Sequence, residues 1–184
     1  MGIYSDFEQV SEVMESTINK YKSHLPKELI EVWKVHGYGT FMGGYLKIIN
    51  PDDFIPLVEE TYLRNKGTIP ILTTSMGDII LFEMDENQES YIIMVNYRRG
   101  KTKVLASKFS LFTRFLEEEA FKQKAMDWLP YPEAVKEYDE PSYDECFGYV
   151  PLLGLGGPEK IDHLDKVKLR EHVLLISSLL GPIE

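Results

Sequence analysis

Hydrophobic residues recur at intervals of three and four near the start of the chain, which is the spacing of one face of a helix. Ser5 and Glu8 have the separation of a capping box, in which each side chain bonds to a free amide at the start of a helix. We therefore predict a helix over residues 6–22. A second helix is predicted from Pro26 to Gly37, because proline fits a first turn and glycine commonly ends a helix.

The glycine-rich segment from Gly37 to Gly44 leads into an apolar segment, Tyr45 to Ile49, that is predicted to be a strand. A dinucleotide-binding loop needs G-x-G-x-x-G between a strand and a helix. Here the spacing differs, and the glycines follow a helix and precede a strand. The segment is therefore interpreted as a tight connection. The next helix is predicted to begin at Asn50 and to end at Gly67, with its acidic residues on the exposed side.

The middle of the chain has the pattern of paired strands separated by short polar turns. The predicted strands are 69–74, 79–84, 91–97 and 102–107. Two of them contain apolar runs without alternation, Ile79 to Phe82 and Tyr91 to Val95, so we expect the sheet to be covered on both faces. The turn between the last two strands carries the basic residues Arg98, Arg99, Lys101 and Lys103, which are predicted to form a solvated turn.

The pattern changes at Leu111, where helical spacing returns. Pro130 and Pro132 interrupt it, and an acidic segment with interspersed tyrosines follows. The stretch Asp144 to Gly157 is interpreted as an irregular, mostly buried crossing segment. Its expected core residues are Phe147, Tyr149, Val150, Leu152, Leu153 and Leu155. Leucine and valine spacing then predicts one last helix from Pro158 to Leu180, central to the C-terminal core.

These patterns predict an α+β fold. An N-terminal domain over residues 1–110 has helices packed on a mainly antiparallel sheet. A smaller, mostly helical C-terminal module is predicted over residues 111–184.

Composition narrows the function classes. The 184-residue chain has 30 acidic and 20 basic residues, for a net charge of −10, which repels nucleic acid and attracts basic partners. Its apolar runs are far shorter than the ~18 residues that suggest a membrane span. Met1 to Val10 contains no basic residue, whereas a secretory signal begins with a positively charged region, so we do not expect a secretory signal here. We expect a cytoplasmic protein that binds neither membranes nor nucleic acid.

No catalytic, metal-binding or cofactor-binding motif is recognisable, so no catalytic residue, metal or cofactor is predicted. Cys146 is the single cysteine, and the neighbouring Asp144 and Glu145 should raise the pKa of its thiol rather than activate it. An enzyme with an unrecognised site around Glu145, Cys146, His163 and His172 remains an alternative. So does a small-ligand or regulatory binding module in which the glycines near Gly156 line a pocket between the domains.

Two sets of residues carry a resemblance to known families. The first set is Leu25-Pro26-x-Glu28-Leu29-x-x-x-Trp33-x-x-x-Gly37-x-Gly39 and Asn50-Pro51-Asp52-Asp53-Phe54. With it, residues 7–108 resemble a GAD-like domain. The second set is Asp144-Glu145-x-Phe147-Gly148-Tyr149-Val150-Pro151, Leu155-Gly156-Gly157 and Lys166-Val167-x-x-x-x-His172. With it, residues 111–183 resemble the C-terminal domain of the Tdi-type immunity proteins of type VI secretion systems. A looser resemblance links the N-terminal half to the SUKH superfamily of immunity proteins.

The resemblance implies an immunity protein that binds a cognate secreted toxin, in the founding cases a DNase, and that has no catalytic residues. Together with the acidic charge it predicts a basic toxin whose groove is covered by an acidic, tyrosine-bearing surface. The residues predicted to bind this partner are Asp52, Asp53, Glu59, Glu60, Glu137, Tyr138, Asp139, Glu140, Tyr143, Asp144 and Glu145.

Overall fold

The computed structural model describes residues 2–184 and confirms the α+β class. Its strands are β1 (Glu8–Ser11), β2 (Tyr38–Phe41), β3 (Leu46–Ile48), β4 (Thr68–Thr74), β5 (Ile79–Met84), β6 (Ser90–Asn96), β7 (Lys101–Ala106), β8 (Glu145–Tyr149) and β9 (Leu164–Lys168). Its helices are α1 (Glu15–Tyr21), α2 (Lys27–His36), α3 (Pro51–Thr61), α4 (Phe109–Phe115), α5 (Glu119–Lys124), α6 (Tyr131–Tyr138) and α7 (Leu169–Leu180).

The first seven strands form one antiparallel sheet in which every strand pairs with its neighbour in the sequence. The turn between β4 and β5 is held by the Thr74 hydroxyl, which donates to the Asp78 carboxylate and accepts from the Asp78 amide. On the central strands, Ile79, Ile80 and Leu81 are fully buried although they point alternately to opposite faces. The strands predicted over residues 69–107 are therefore present, and their non-alternating runs correspond to a sheet covered on both faces.

Two hydrophobic clusters cover the two faces. The larger one joins residues of α2, such as Trp33, to residues of the C-terminal half, such as Phe112 and Phe147. The smaller one joins Leu57 of α3 and Val173 of α7 to β5 and β6. Burial of these apolar groups on both sides of the sheet is the main source of the stability of the fold.

Helices α3 and α7 run parallel to each other on the second face. At their N-terminal ends, the Arg170 guanidinium donates to the Asp53 carbonyl and lies over the Phe54 ring, 5.6 Å from its centre. Past their C-terminal ends, the Ile183 amide donates to the Thr61 carbonyl at 2.9 Å. The last residues of the chain are thereby tied to the end of α3.

The prediction of a helix over residues 6–22 is wrong in its first half. Glu8 to Ser11 form the edge strand β1, which pairs with β2, and the helix α1 begins only at Glu15. The predicted capping box of Ser5 and Glu8 is wrong as well, because Glu8 lies in β1 and the N-cap of α1 is Met14. The Asp6 carboxylate instead accepts from the amides of Met42 and Gly43 in the turn after β2. Strand pairing with a segment about 30 residues away overrides the local helical spacing.

Three other boundaries differ from their predictions. The glycine-rich connection before residue 45 contains the strand β2, and α3 ends at Thr61 rather than Gly67. The helix predicted from Leu111 is divided into α4 and α5.

The crossing segment is also more regular than predicted. Residues 145–149 form β8, which pairs antiparallel with β9, so the last helix begins at Leu169 rather than Pro158. Phe147, Tyr149 and Leu152 are buried as predicted, but Val150 and Leu155 are half exposed. The outer side of α7 also reaches solvent at Leu175, Leu179 and Leu180, so only its inner side belongs to the core.

Polar contacts connect the two predicted modules. The Tyr45 hydroxyl donates to the carbonyl of Met126 at 2.9 Å. The fully buried Lys47 ammonium donates to the carbonyls of Ser142, at 2.6 Å, and Glu145. The division at residue 110 stays a prediction, while the larger hydrophobic cluster contains residues from both sides of it.

Candidate functional site

The residues predicted to bind a partner fall into three groups. The first group lies on α3, the second on α6 and the turn after it, and the third at the start of β8. Their roles as a binding surface stay a prediction, but their contacts differ enough to separate them.

On α3, Asp52 is engaged within the protein. Its carboxylate accepts from the Lys20 ammonium and the Tyr21 hydroxyl, both at 2.5 Å, and these hydrogen bonds lower the pKa of the carboxyl group. Asp53 in the same turn is exposed, as are Glu59 and Glu60 further along the helix. The α3 acids are therefore mostly available at the surface.

In the second group, Glu137 and Asp139 are exposed at the end of α6. The Tyr138 ring is half buried, 6.4 Å from the centre of the Phe147 ring, so it packs against the core. The Glu140 carboxylate lies directly against Gly44, where a side chain on that glycine would collide with it. Only part of this group is free to contact another molecule.

The third group is tied to the rest of the fold. The Tyr143 hydroxyl donates to the carbonyl of Ile48 at 2.7 Å, and burial raises the pKa of this phenol. Asp144 and Glu145 share the ammonium group of Lys168, at 2.7 and 3.3 Å. The hydrogen bond from Lys168 lowers the pKa of the Asp144 carboxyl group.

The first and third groups meet at a cleft of about 440 Å³ between the N-terminal ends of α3 and α7. The structure thus brings together Asp53, Tyr143 and Asp144, which are far apart in the sequence. The acids of α6 are not among the residues that line the cleft. The full lining is Ile49, Asp53, Phe54, Tyr143, Asp144, Lys168, Leu169, Arg170 and Glu171.

Two residues of the enzyme alternative, Cys146 and His172, are buried beside Gly77. Cys146 is fully buried, and the loss of solvation raises the pKa of its thiol to about 12. Burial also lowers the pKa of His172, whose ring fills the space beside Gly148. The His163 ring lies instead 3.1 Å from the Val150 carbonyl. Within residues 2–184 there is no group of three or more His, Cys, Asp or Glu that could hold a metal ion.

In the glycine-rich segment of the small-ligand alternative, Gly156 is exposed with no atom within 4 Å of its β-position, whereas two other glycines pack on their surroundings. Gly157 is covered by the carbonyl of Pro151, and Gly154 lies against the side chain of Leu180. The space where their β-carbons would lie is therefore filled by other parts of the chain.

The prediction that the basic residues after β6 form a solvated turn is wrong for the first two of them. Arg98 is buried and donates to the Asp127 carbonyl at 2.5 Å, with the carboxylate of Asp78 3.6 Å away. Arg99 bridges the carboxylates of Asp127 and Glu159. Lys101 and Lys103 are exposed, as predicted. A turn rich in arginine carries no local signal that distinguishes a buried charge cluster from a solvated one.

The sequence gives no indication that two polar side chains, Lys47 and Asp78, are buried. Lys47 follows the pattern of a buried strand, and nothing in its neighbours indicates that its ammonium bonds to carbonyls about 95 residues away. Asp78 occupies a turn position that acids commonly fill, yet it is fully buried, and the loss of solvation raises its pKa to about 6.

None of the helices formed by residues 2–184 is long and apolar enough to cross a membrane. The molecule is therefore an α+β protein with a net charge of −10 and a surface cleft. Its single thiol, Cys146, is buried in the core.

Comparison with family models gives the family. Residues 3–96 match the model described as the GAD-like domain, and the chain belongs to this family. Residues 106–180 match the model described as "T6SS immunity protein Tdi1, C-terminal". The predicted order of the two segments is confirmed.

Comparison with solved structures supports the fold. The crystal structure of Atu4351 from Agrobacterium tumefaciens is similar to this chain with a TM-score of 0.76 at 15% sequence identity. The similarity covers 98% of this chain and 88% of the other. No curated protein gives a significant match to this chain.

Proposed function

We propose that this protein is an immunity protein that binds a toxin delivered by a type VI secretion system and blocks it by covering its functional surface. The observation that carries the proposal is the match of residues 106–180 to the C-terminal family model of a type VI secretion immunity protein. The GAD-like match over residues 3–96 precedes it, so both segments of the chain are accounted for.

The contacts around Cys146 and His172 support inhibition by binding rather than by catalysis. A nucleophilic cysteine needs an exposed thiolate of lowered pKa, whereas the pKa of Cys146 is raised and its side chain is buried. The exposed acids on α3 and α6 offer a surface for a basic partner instead. We propose that the toxin is basic, a nuclease being the case that this charge fits best, and that binding occurs in the cytoplasm.

The proposal is tested with the product of the neighbouring gene, which the proposal expects to be the toxin. Co-expression of the two proteins should give a stable complex on size-exclusion chromatography and should restore the growth of cells that express the toxin alone. A catalytically inactive toxin variant should form the same complex, because occlusion requires no turnover. Absence of both the complex and the growth rescue would contradict the proposal.

A further inference from the structure

We propose that the cleft between the N-terminal ends of α3 and α7 binds an arginine or lysine side chain of the protein partner. The inference rests on the proposed function, because it assigns a specific contact to the partner that the immunity role requires. It depends on the apolar floor of the cleft, on the two bases that are already engaged, and on two carboxylates that are not.

The floor of the cleft is apolar. Ile49 and Leu169 are almost wholly covered, 1% and 2% exposed, so the accessible floor is provided by the half-buried rings of Phe54 and Tyr143. The hydroxyl of Tyr143 is directed to the carbonyl of Ile48 rather than into solvent, so the tyrosine presents mainly its ring. Such a floor suits a long basic side chain, because its methylene groups can pack on apolar surface while its charged end remains in a polar environment.

The two bases of the cleft are already engaged. Lys168 bonds to the carboxylates of Asp144, at 2.7 Å, and Glu145. Arg170 lies over the Phe54 ring and donates to the carbonyl of Asp53. An anionic ligand would have to compete with these internal acceptors for the same cations, so the cleft does not favour one.

The two remaining carboxylates are not engaged. Within residues 2–184, neither Asp53 nor Glu171 has a basic group within 4.0 Å or a side-chain hydrogen bond, and both are exposed. Each lies in the first turn of its helix. An incoming guanidinium or ammonium group would therefore find two carboxylates at the rim of an apolar floor.

This geometry favours a side chain of a protein over a small metabolite. The cleft is open to solvent and combines accessible aromatic rings with charged groups, and pockets of this kind receive single anchoring residues in protein interfaces. Arginine is the preferred occupant, since its planar group makes bidentate hydrogen bonds to a carboxylate.

The test is the affinity of the complex with the product of the neighbouring gene, measured by isothermal titration calorimetry. The double variant Asp53→Asn, Glu171→Gln keeps the size of both side chains and removes their charge. We expect it to bind about 10- to 100-fold more weakly, the effect of losing hydrogen bonds to a charged group. The control variant Glu117→Gln, Glu118→Gln removes the same charge from exposed residues between α4 and α5. It should bind like the unmodified protein.

The outcomes separate the two proposals. If the unmodified protein binds the toxin and the Asp53, Glu171 variant binds equally well, the cleft is not the contact site, while the immunity function stands. If this variant and the control lose the same affinity, only the net charge matters, which also overturns the inference. If the unmodified protein does not bind the toxin at all, the proposed function fails and the inference fails with it.

Discussion

At the scale of single residues, Lys47 is the side chain whose position is least expected. Its ammonium group has no exposed surface and bonds to the carbonyls of Ser142 and Glu145. Loss of solvation lowers the pKa of this lysine to about 8 from its usual 10.5. A charged group is held in the interior because two backbone carbonyls from the C-terminal half replace part of its water.

The lowered pKa predicts a pH dependence of stability. Between about pH 8 and pH 10.5 the unfolded chain keeps the Lys47 proton while the folded protein has lost it, so the free energy of unfolding rises with pH. Relative to a Lys47→Met variant, the unmodified protein should gain at most about 1.4 kcal/mol per pH unit in this range. Urea unfolding curves at a series of pH values measure the difference.

The control for this experiment is Lys66→Met, which removes an exposed lysine. Its stability should follow that of the unmodified protein across the same pH range. Parallel curves for the Lys47→Met variant and the unmodified protein would contradict the assignment of the pH dependence to Lys47.

The burial of Lys47 and Arg98 could not be predicted from the sequence. Both are bases whose neighbours in the sequence look ordinary, and both find their partners in the C-terminal half. By contrast, the acidic residues of α3 were correctly placed on an exposed helix face, because helical spacing is a local property. Their meeting with Tyr143 and Asp144 in one cleft depends on tertiary packing and was not predicted.

At the scale of elements, the β8–β9 pair is the feature that the helical interpretation of the C-terminal half missed. Gly148 of β8 lies where a β-carbon would be 2.5 Å from the His172 ring and 2.9 Å from Val167. The strand therefore lies close to α7 because this position has no side chain. The buried ring of His172 occupies the space instead.

Substitution of this glycine should therefore destabilise the protein. We expect Gly148→Ala to lower the free energy of unfolding by about 1–3 kcal/mol, since the new methyl group forces the packed ring or the strand to move. Urea unfolding monitored by circular dichroism measures the loss. As a control, Gly156→Asn changes a left-handed glycine with no atom within 4 Å of its β-position. Asparagine tolerates this conformation, so the control should lose less than about 1 kcal/mol.

A Gly148→Ala variant as stable as the unmodified protein would show that β8 and α7 can separate at low cost.

The strands that the sequence could predict are those that pair with a neighbour across a short turn. The hairpins of β4 to β7 follow short turns, and their pairing is set by nearby residues. Strands β1 and β9 pair across longer connections, and each lies in a segment whose apolar spacing also fits a helix. Where two periodicities fit a short segment, the partner strand decides, and single-sequence patterns do not contain that information.

At the scale of the whole molecule, the two family segments share one hydrophobic cluster. Trp33 belongs to the first segment, and Trp128 to the second, where its ring lies 4.6 Å from the ring of Tyr45. The two tryptophans therefore report on different segments, although both contact the same cluster.

We expect both segments to unfold in a single transition. In the Trp33→Phe variant the fluorescence comes from Trp128, and in the Trp128→Phe variant it comes from Trp33. Within each variant, the urea midpoint from fluorescence should coincide with the midpoint from circular dichroism, because a shared core couples the segments. A fluorescence midpoint that departs from the circular dichroism midpoint in either variant would instead favour two independently folding domains divided near residue 110.

The contact between the buried Arg98 and the partly exposed Asp127 has a consequence for how such proteins can diversify. The base is supplied by the region after β6, and the acid by the segment that matches the second family model. A gene formed by recombination between relatives could join this N-terminal half to a C-terminal half without an acid at that position. In the hybrid, Arg98 would keep the carboxylate of Asp78, 3.6 Å away, but would lose that of Asp127, so the charge cluster would be destabilised. The two halves are therefore expected to be inherited together, with new toxin specificities arising by substitutions on the surface rather than by exchange of halves.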